Sequence, residues 1–348
     1  MRVYDLPLWV EDFEKFPKEG IQGRGWRLRV REITLAPGET PFASHLTSMR
    51  ERYPRYSVHY ISNQKNKWIA PQVFVEAKTR LAAQRVCDLI SAGFVIIDGC
   101  KLFEYDDETV LPHDITMLED LSEFDLLSAG RNTIYRDNVQ LAALFASKMS
   151  LRKHIRYAAL KQKLSFSLAG AHSVHVDPFY NQKFFGVESD PSLLVSMATA
   201  ITLAYSSIEE LQLEPRPFGN KPVKLEDGSW DPKARANLDD RLNRAKIDLS
   251  TKIIWNIRGS PTRIHKSRRA PPGTRQPWAQ GVVRDKAVSV QDALVAASWI
   301  RSRCTTHRYS KITESISMYD VHNVQFLARA LLMKSLGLWP AAGPMETG

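Results

Sequence analysis

The sequence predicts an α+β protein, with an N-terminal mixed α/β domain followed by a mostly α-helical C-terminal region. Three observations carry this. Apolar and polar residues alternate in the first third of the chain, as they do along half-buried strands. From residue 138 the apolar spacing changes to every third or fourth position, the period of a helix. Asp-Pro pairs then mark helix starts at 190–191 and 231–232. The expected organisation is a mixed domain over 1–135 and a long connecting helix and turn over 136–189. A helical domain follows over 190–348.

Taken in order, "WRLRVREIT" (26–34) alternates as a strand. "YSVHYIS" (57–62 and its neighbours) and "WIAPQVFVEA" (68–77) read the same way, and Pro71 suggests a sheet edge for the second. "KTRLAAQRVCDLISAG" (78–93) has helical spacing, with Gly93 as its stop. "FVIID" and "KLFEYDD" are short strand candidates. One long helical pattern covers 138–172, and its cations Arg152, Lys153, Arg156, Lys161 and Lys163 form a basic stripe, for which a solvated face is the better reading and phosphate contact the alternative. Helices are expected over 190–215 and 230–247, from about Ser289 to Thr306, and over 318–339 with Gly337 near the end. Pro, Gly and Arg dominate 248–286, which reads as a long loop. The C-terminal region thus reads as a bundle of about four helices.

Composition narrows the function classes. No apolar run reaches the roughly 18–20 residues that cross a bilayer, and the first residues form no secretory signal. The cysteines, Cys87, Cys100 and Cys304, lie too far apart for a disulfide framework or a zinc-type pair. The expectation is a cytoplasmic protein without membrane contact. The formal charge is +10 and the pI about 9.4. The cations concentrate in 252–286, where Asp285 is the one acid. Arg258, Arg263, Lys266, Arg268, Arg269 and Arg275 are therefore candidate nucleic-acid contacts, set against a solvated basic loop. Trp255, Trp278 and Trp299 flank basic residues and are candidate stacking platforms, with core packing the better reading for Trp299. His172, His175 and Asp177 have partial metal-ligand spacing but lack a fourth ligand, and a turn after the long helix is the simpler reading.

The sharpest chemical signal is "WIRSRCTTHR" (299–308). On one regular helix Arg301 and His307, six positions apart, lie about 120° apart around the axis and about 9 Å along it. Arg303 and His307 share a face and could be no more than a solvated basic strip at a helix end.

The wider pair is the one a family resemblance selects. The C-terminal region, roughly 190–340, resembles a HEPN domain, the helical domain of many defence and toxin ribonucleases. Arg301, polar Ser302 and then His307 after five intervening residues match its Arg-x(4–6)-His motif. "AYSSIEELQL" resembles an early helix of the branch close to ApeA-type proteins, and "ASWIRSRCTTH" resembles its motif segment. The sequence departs from that branch in Arg308, where a glycine usually follows the histidine, and in the long 248–286 insertion. The resemblance implies a metal-independent endoribonuclease without cofactor, of anti-phage defence or toxin type, acting on RNA at a homodimer cleft. Arg301 and His307 would be catalytic, with Ser302, Arg303, Glu209 and Glu210 supporting them. The N-terminal domain would sense a trigger or restrain the nuclease. The alternative is a non-catalytic HEPN-type module for nucleic-acid binding or dimerisation.

Overall fold

The computed structural model describes residues 2–10, 19–35, 62–64, 67–98, 124–126, 134–136, 139–168, 191–255, 286–302 and 316–337. Over these residues the protein is helix-rich and of mixed α+β class, with seven helices and two sheets. The chain divides into two compact units, one of residues 1–94 with 102–152, the other of 95–101 with 153–348.

The first unit is built on a seven-stranded sheet. Its strands are β1 (Arg2–Val10), β2 (Ile21–Gly23), β3 (Trp26–Leu35), β4 (Ser62–Gln64), β5 (Lys67–Ala77), β6 (Phe124–Leu126) and β7 (Ile134–Arg136). The order β2-β3-β5-β1-β6 makes β5 central, not the edge that Pro71 suggested. β3 pairs with β5 along its length, whereas the opposite side of β5 is shared. β4 takes Lys67–Ile69 and β1 takes Gln72–Ala77. Pro71 falls in the gap between those two runs, where a missing N–H costs no ladder bond on that side.

Helix α1 (Arg80–Asp98) runs past Gly93, which is therefore not a stop. A Cβ at Gly93 would meet the Ala142 carbonyl oxygen at 2.8 Å and the Phe145 Cβ at 3.3 Å. The glycine thus serves close packing against α2 (Val139–Leu151). The "FVIID" strand expectation fails for the same reason: Val95 and Ile96 are buried on the continuing helix. α2 also lies against β2, where the Ser147 hydroxyl donates to the Gln22 carbonyl.

The second unit holds α3 (Lys153–Leu168), α4 (Pro191–Glu210), α5 (Pro232–Arg244), α6 (Val290–Ile300) and α7 (Met318–Ser335), with strands β8 (Lys252–Trp255) and β9 (Lys286–Ser289). The pattern read as one long helix over 138–172 is thus two helices, α2 and α3, parted at Arg152. Local signals set several ends. Asp231 caps α5 by accepting from the Lys233 and Ala234 N–H groups, with Pro232 next in line. Ser289 caps α6, and Ser317 with Asp320 forms a capping box on α7. Gly337, at φ +69°, ends α7 in the left-handed conformation. The proposed Asp190 cap lies outside the described residues.

The loop expected over 248–286 begins and ends as an antiparallel pair, Lys252↔Ser289 through Trp255↔Lys286. Trp255 is fully buried in the core and cannot serve as a stacking platform. Trp299 is partly buried against the same core, as its apolar setting suggested. α7 is buried on nearly every side and α4 supplies Leu194, Met197, Ile201, Tyr205 and Ile208 to the core around it. By length and composition α4 is also apolar enough to cross a membrane, contrary to the sequence expectation; here its apolar face forms the centre of the unit. A buried polar chain ties three helices together. The Gln162 amide of α3 donates to the Gln325 carbonyl of α7 at 2.8 Å. The Gln325 amide donates to the Ser165 hydroxyl at 2.9 Å, and Ser165 donates to the Ala200 carbonyl of α4 at 2.7 Å.

Candidate functional site around Arg301

Arg301 and Ser302 follow α6 in a widened, π-type turn, a departure from regular helix that re-aims the side chains it carries. The Ser302 hydroxyl donates back to the Trp299 carbonyl at 3.2 Å, which ties this turn to the helix. A cation at a helix C-terminus also lies at the favourable end of the helix dipole.

Arg301 meets a face of α4. Tyr205 and Glu209 are four residues apart and so stand one above the other on that helix. The Arg301 guanidinium nitrogen Nη2 lies 3.7 Å from Glu209 Oε1, an ion pair longer than a hydrogen bond. The guanidinium carbon sits 5.8 Å from the Tyr205 ring centre, within cation–π range. Both Arg301 and Glu209 side chains are 36% exposed, so the pair faces solvent while Tyr205 beneath it is buried. Burial raises the Tyr205 phenol well above its ordinary range. A hydrogen bond with Ser298 opposes this, Glu209 and Glu214 add to it, and Arg301 opposes it. Tyr205 is thus held as a neutral phenol, a support for Arg301 and not a base at neutral pH.

Glu210, one residue on, points elsewhere. Its carboxylate receives Lys161 Nζ of α3 at 2.7 Å, and the same ammonium donates to the Ser206 hydroxyl at 2.9 Å. The structure therefore brings Glu209, not Glu210, to Arg301. Arg303 and His307 lie outside the described residues, as do Arg258, Arg263, Lys266, Arg268, Arg269, Arg275, Trp278 and the His172–Asp177 segment. Compared with protein-family models, curated proteins and solved structures, the chain matches none.

Sequence reasoning missed Tyr205 and Ser298. A signal for both existed: Tyr205 lies four residues before Glu209 and Ser298 three before Arg301, spacings that put each pair on one helix face.

The opposite end of α6 carries a second polar cluster. Asp292 accepts from Lys224 Nζ at 3.0 Å, from the Trp230 indole N–H at 3.1 Å and from the Ser289 hydroxyl at 2.7 Å. Burial works against its charge, but the bonds from Ser289, Lys224 and Trp230 outweigh it and hold the carboxyl below its ordinary value. Lys224 and Arg235 also lie 4.4 Å and 5.1 Å from the Trp230 ring centre. This cluster fastens Lys224 and Trp230 to the first turn of α6.

Proposed function

We propose that this chain is a metal-independent endoribonuclease in which Arg301 and His307 act on RNA. The single observation that supports it most is the seating of Arg301: a partly exposed side chain, backed by a buried aromatic ring and 3.7 Å from the Glu209 carboxylate. A phosphate offers two charged oxygens in the plane of the guanidinium fork, the geometry an arginine recognises best.

In this reading the RNA 2′-oxygen attacks its own adjacent phosphorus and the bond to the 5′-oxygen breaks. His307 moves the proton from the 2′-hydroxyl or onto the departing 5′-oxygen, as a group with a pKa near neutrality can. Arg301 stabilises the charge that grows on the phosphoryl oxygens. The products are a 2′,3′-cyclic phosphate and a 5′-hydroxyl, and DNA, which lacks the attacking group, is not cut. Glu209 and Tyr205 position Arg301. The proposal includes a HEPN-type bundle in the helical unit, a homodimer whose cleft joins two motifs, a cytoplasmic setting and a defence role. Restraint of the nuclease is assigned to the N-terminal domain.

One observation favours the second reading, a non-catalytic binding or dimerisation module: Glu209 already offsets the charge of Arg301. Incubation of the full chain with labelled RNA in EDTA, beside His307→Ala, separates the two. Cleavage leaving cyclic phosphate ends, lost in the variant, supports the nuclease. Cleavage that survives in His307→Ala overturns the assignment. A dimer that binds RNA and leaves it intact supports the module.

A further inference from the structure

The surface of the second unit holds another group of cations, set on α3. No acidic residue occurs between Asp137 and Asp177, so α3 carries Lys153, Arg156, Lys161 and Lys163 without a carboxylate of its own. Several other basic side chains of this unit are matched. Arg216 and Arg241 pair with Glu214, Arg235 with Asp239, Lys224 with Asp292 and Lys161 with Glu210. Among the described residues Lys153 and Arg156 have no carboxylate partner. Lys153 instead rests 5.9 Å from the ring centre of Tyr157, and that ring is 45% exposed. Nothing in the helix itself asks for this arrangement, because a first turn is stabilised by acids and destabilised by cations.

The pairing of α3 with α4 places this face. Lys161 reaches Ser206 and Glu210 near the end of α4, whereas Ser165, one turn further along α3, reaches Ala200. The two helices therefore run antiparallel, and α3 begins at the end of the bundle where α4 stops. Glu209, at that same end, holds Arg301. Lys153, Tyr157 and Lys161 follow one another at four-residue steps along α3 toward Glu210, the neighbour of Glu209.

We infer that this face, Lys153, Arg156 and Tyr157, is a docking surface for single-stranded RNA at the end of the bundle that carries Arg301. Lys153 and Arg156 take backbone phosphates, and the exposed Tyr157 ring offers a platform for one base. The choice of RNA rests on the nuclease reading; the polyanion chemistry rests on the face alone. The surface is inferred independently of the 252–286 basic segment, most of which lies outside the described residues.

The test measures binding of a fluorescent 2′-O-methyl single-stranded RNA, which has no free 2′-hydroxyl and survives contact with the enzyme. Wild type is compared with Lys153→Gln/Arg156→Gln, with Tyr157→Ala, and with Lys221→Gln/Lys246→Gln, which removes the same charge from two exposed lysines elsewhere. Two lost phosphate contacts on a single strand lower the salt slope by about 1.4, so between about 50 and 200 mM salt wild type loses roughly sevenfold more affinity than the first variant. Tyr157→Ala weakens binding with the slope kept, and the control pair leaves both near wild type. Equal slopes in wild type and Lys153→Gln/Arg156→Gln overturn the docking surface, as does an equal loss in the control pair. Tighter binding to phosphatidylglycerol vesicles than to RNA also overturns it, in favour of a membrane surface. Unmodified RNA left intact in EDTA, with the binding differences present, overturns the nuclease reading and leaves the docking surface standing.

Discussion

At the N-terminal end of α6 the Asp292 carboxylate is surrounded. Lys224, Trp230 and Ser289 all donate to it at hydrogen-bonding distance, and two cations flank the indole. At the C-terminal end Arg301 has the Glu209 carboxylate at 3.7 Å and the Tyr205 ring beneath it, although its side chain is no more exposed than that of Asp292, 36% against 35%. The two ends share a helix but not a design. A closed polar network is costly to break, because each remaining member is left short of partners. The Arg301–Glu209 pair, at 3.7 Å, is longer than a hydrogen bond, so that one contact holds less. The first arrangement suits a fastening and the second suits chemistry.

Five substitutions at three positions break or sharpen that contrast. The largest effect is expected at the C-terminal end: under the proposed nuclease reading, Arg301→Ala lowers RNA cleavage on the order of 10²–10³-fold, the cost of losing one charge-stabilising donor. Single-turnover cleavage in EDTA checks this, and its melting temperature stays close to that of wild type. At the N-terminal end the order reverses. Asp292→Ala destabilises the fold by about 2 kcal/mol in urea unfolding, because Lys224 and Trp230 lose their acceptor. Its effect on cleavage follows only from the folded fraction.

A smaller effect concerns acid. Asp292 titrates lower in the folded protein than its ordinary value, so its contribution is present above the unfolded carboxyl value of about 3.9 and lost as pH falls through the lower folded value. Asp227 and Asp248, bonded by Ser229 and Ser250, are held low in the same direction. The difference between wild type and Asp292→Asn isolates the Asp292 part. Stability curves that converge as pH falls below about 4 support it, and parallel curves refute it. The smallest change is expected from Glu209→Gln. Its loose, exposed pair contributes at most about 1 kcal/mol to stability, so unfolding moves little. Cleavage changes through the positioning of Arg301, and Glu209→Asp restores less of it than the parent carboxylate supplies.

Some helix ends were legible because the signal was local. Asp231 with Pro232 and Ser289 at helix starts, and Gly337 at a helix end, each act within one turn and stand where the sequence reading put them, whereas the equally local Ser317–Asp320 capping box went unread. Gly93 and Pro71 misled because their reasons lie far along the chain. Gly93 admits the backbone of Ala142, and Pro71 occupies a gap between two strands that pair elsewhere on β5. The β8–β9 pair was missed because Pro- and Arg-rich sequence lies between its strands, and no local rule announces that such ends will meet.

The sequence by itself determined the α+β class, the caps and the presence of Arg301 in a widely spaced motif. It also determined the acid-free run that makes α3 basic. Those properties follow from residue type and short-range spacing. Only the tertiary structure decided that Glu209 meets Arg301 while Glu210 meets Lys161. Adjacent helical residues point about 100° apart, so which of two neighbouring carboxylates serves a site depends on the helix packed against each face.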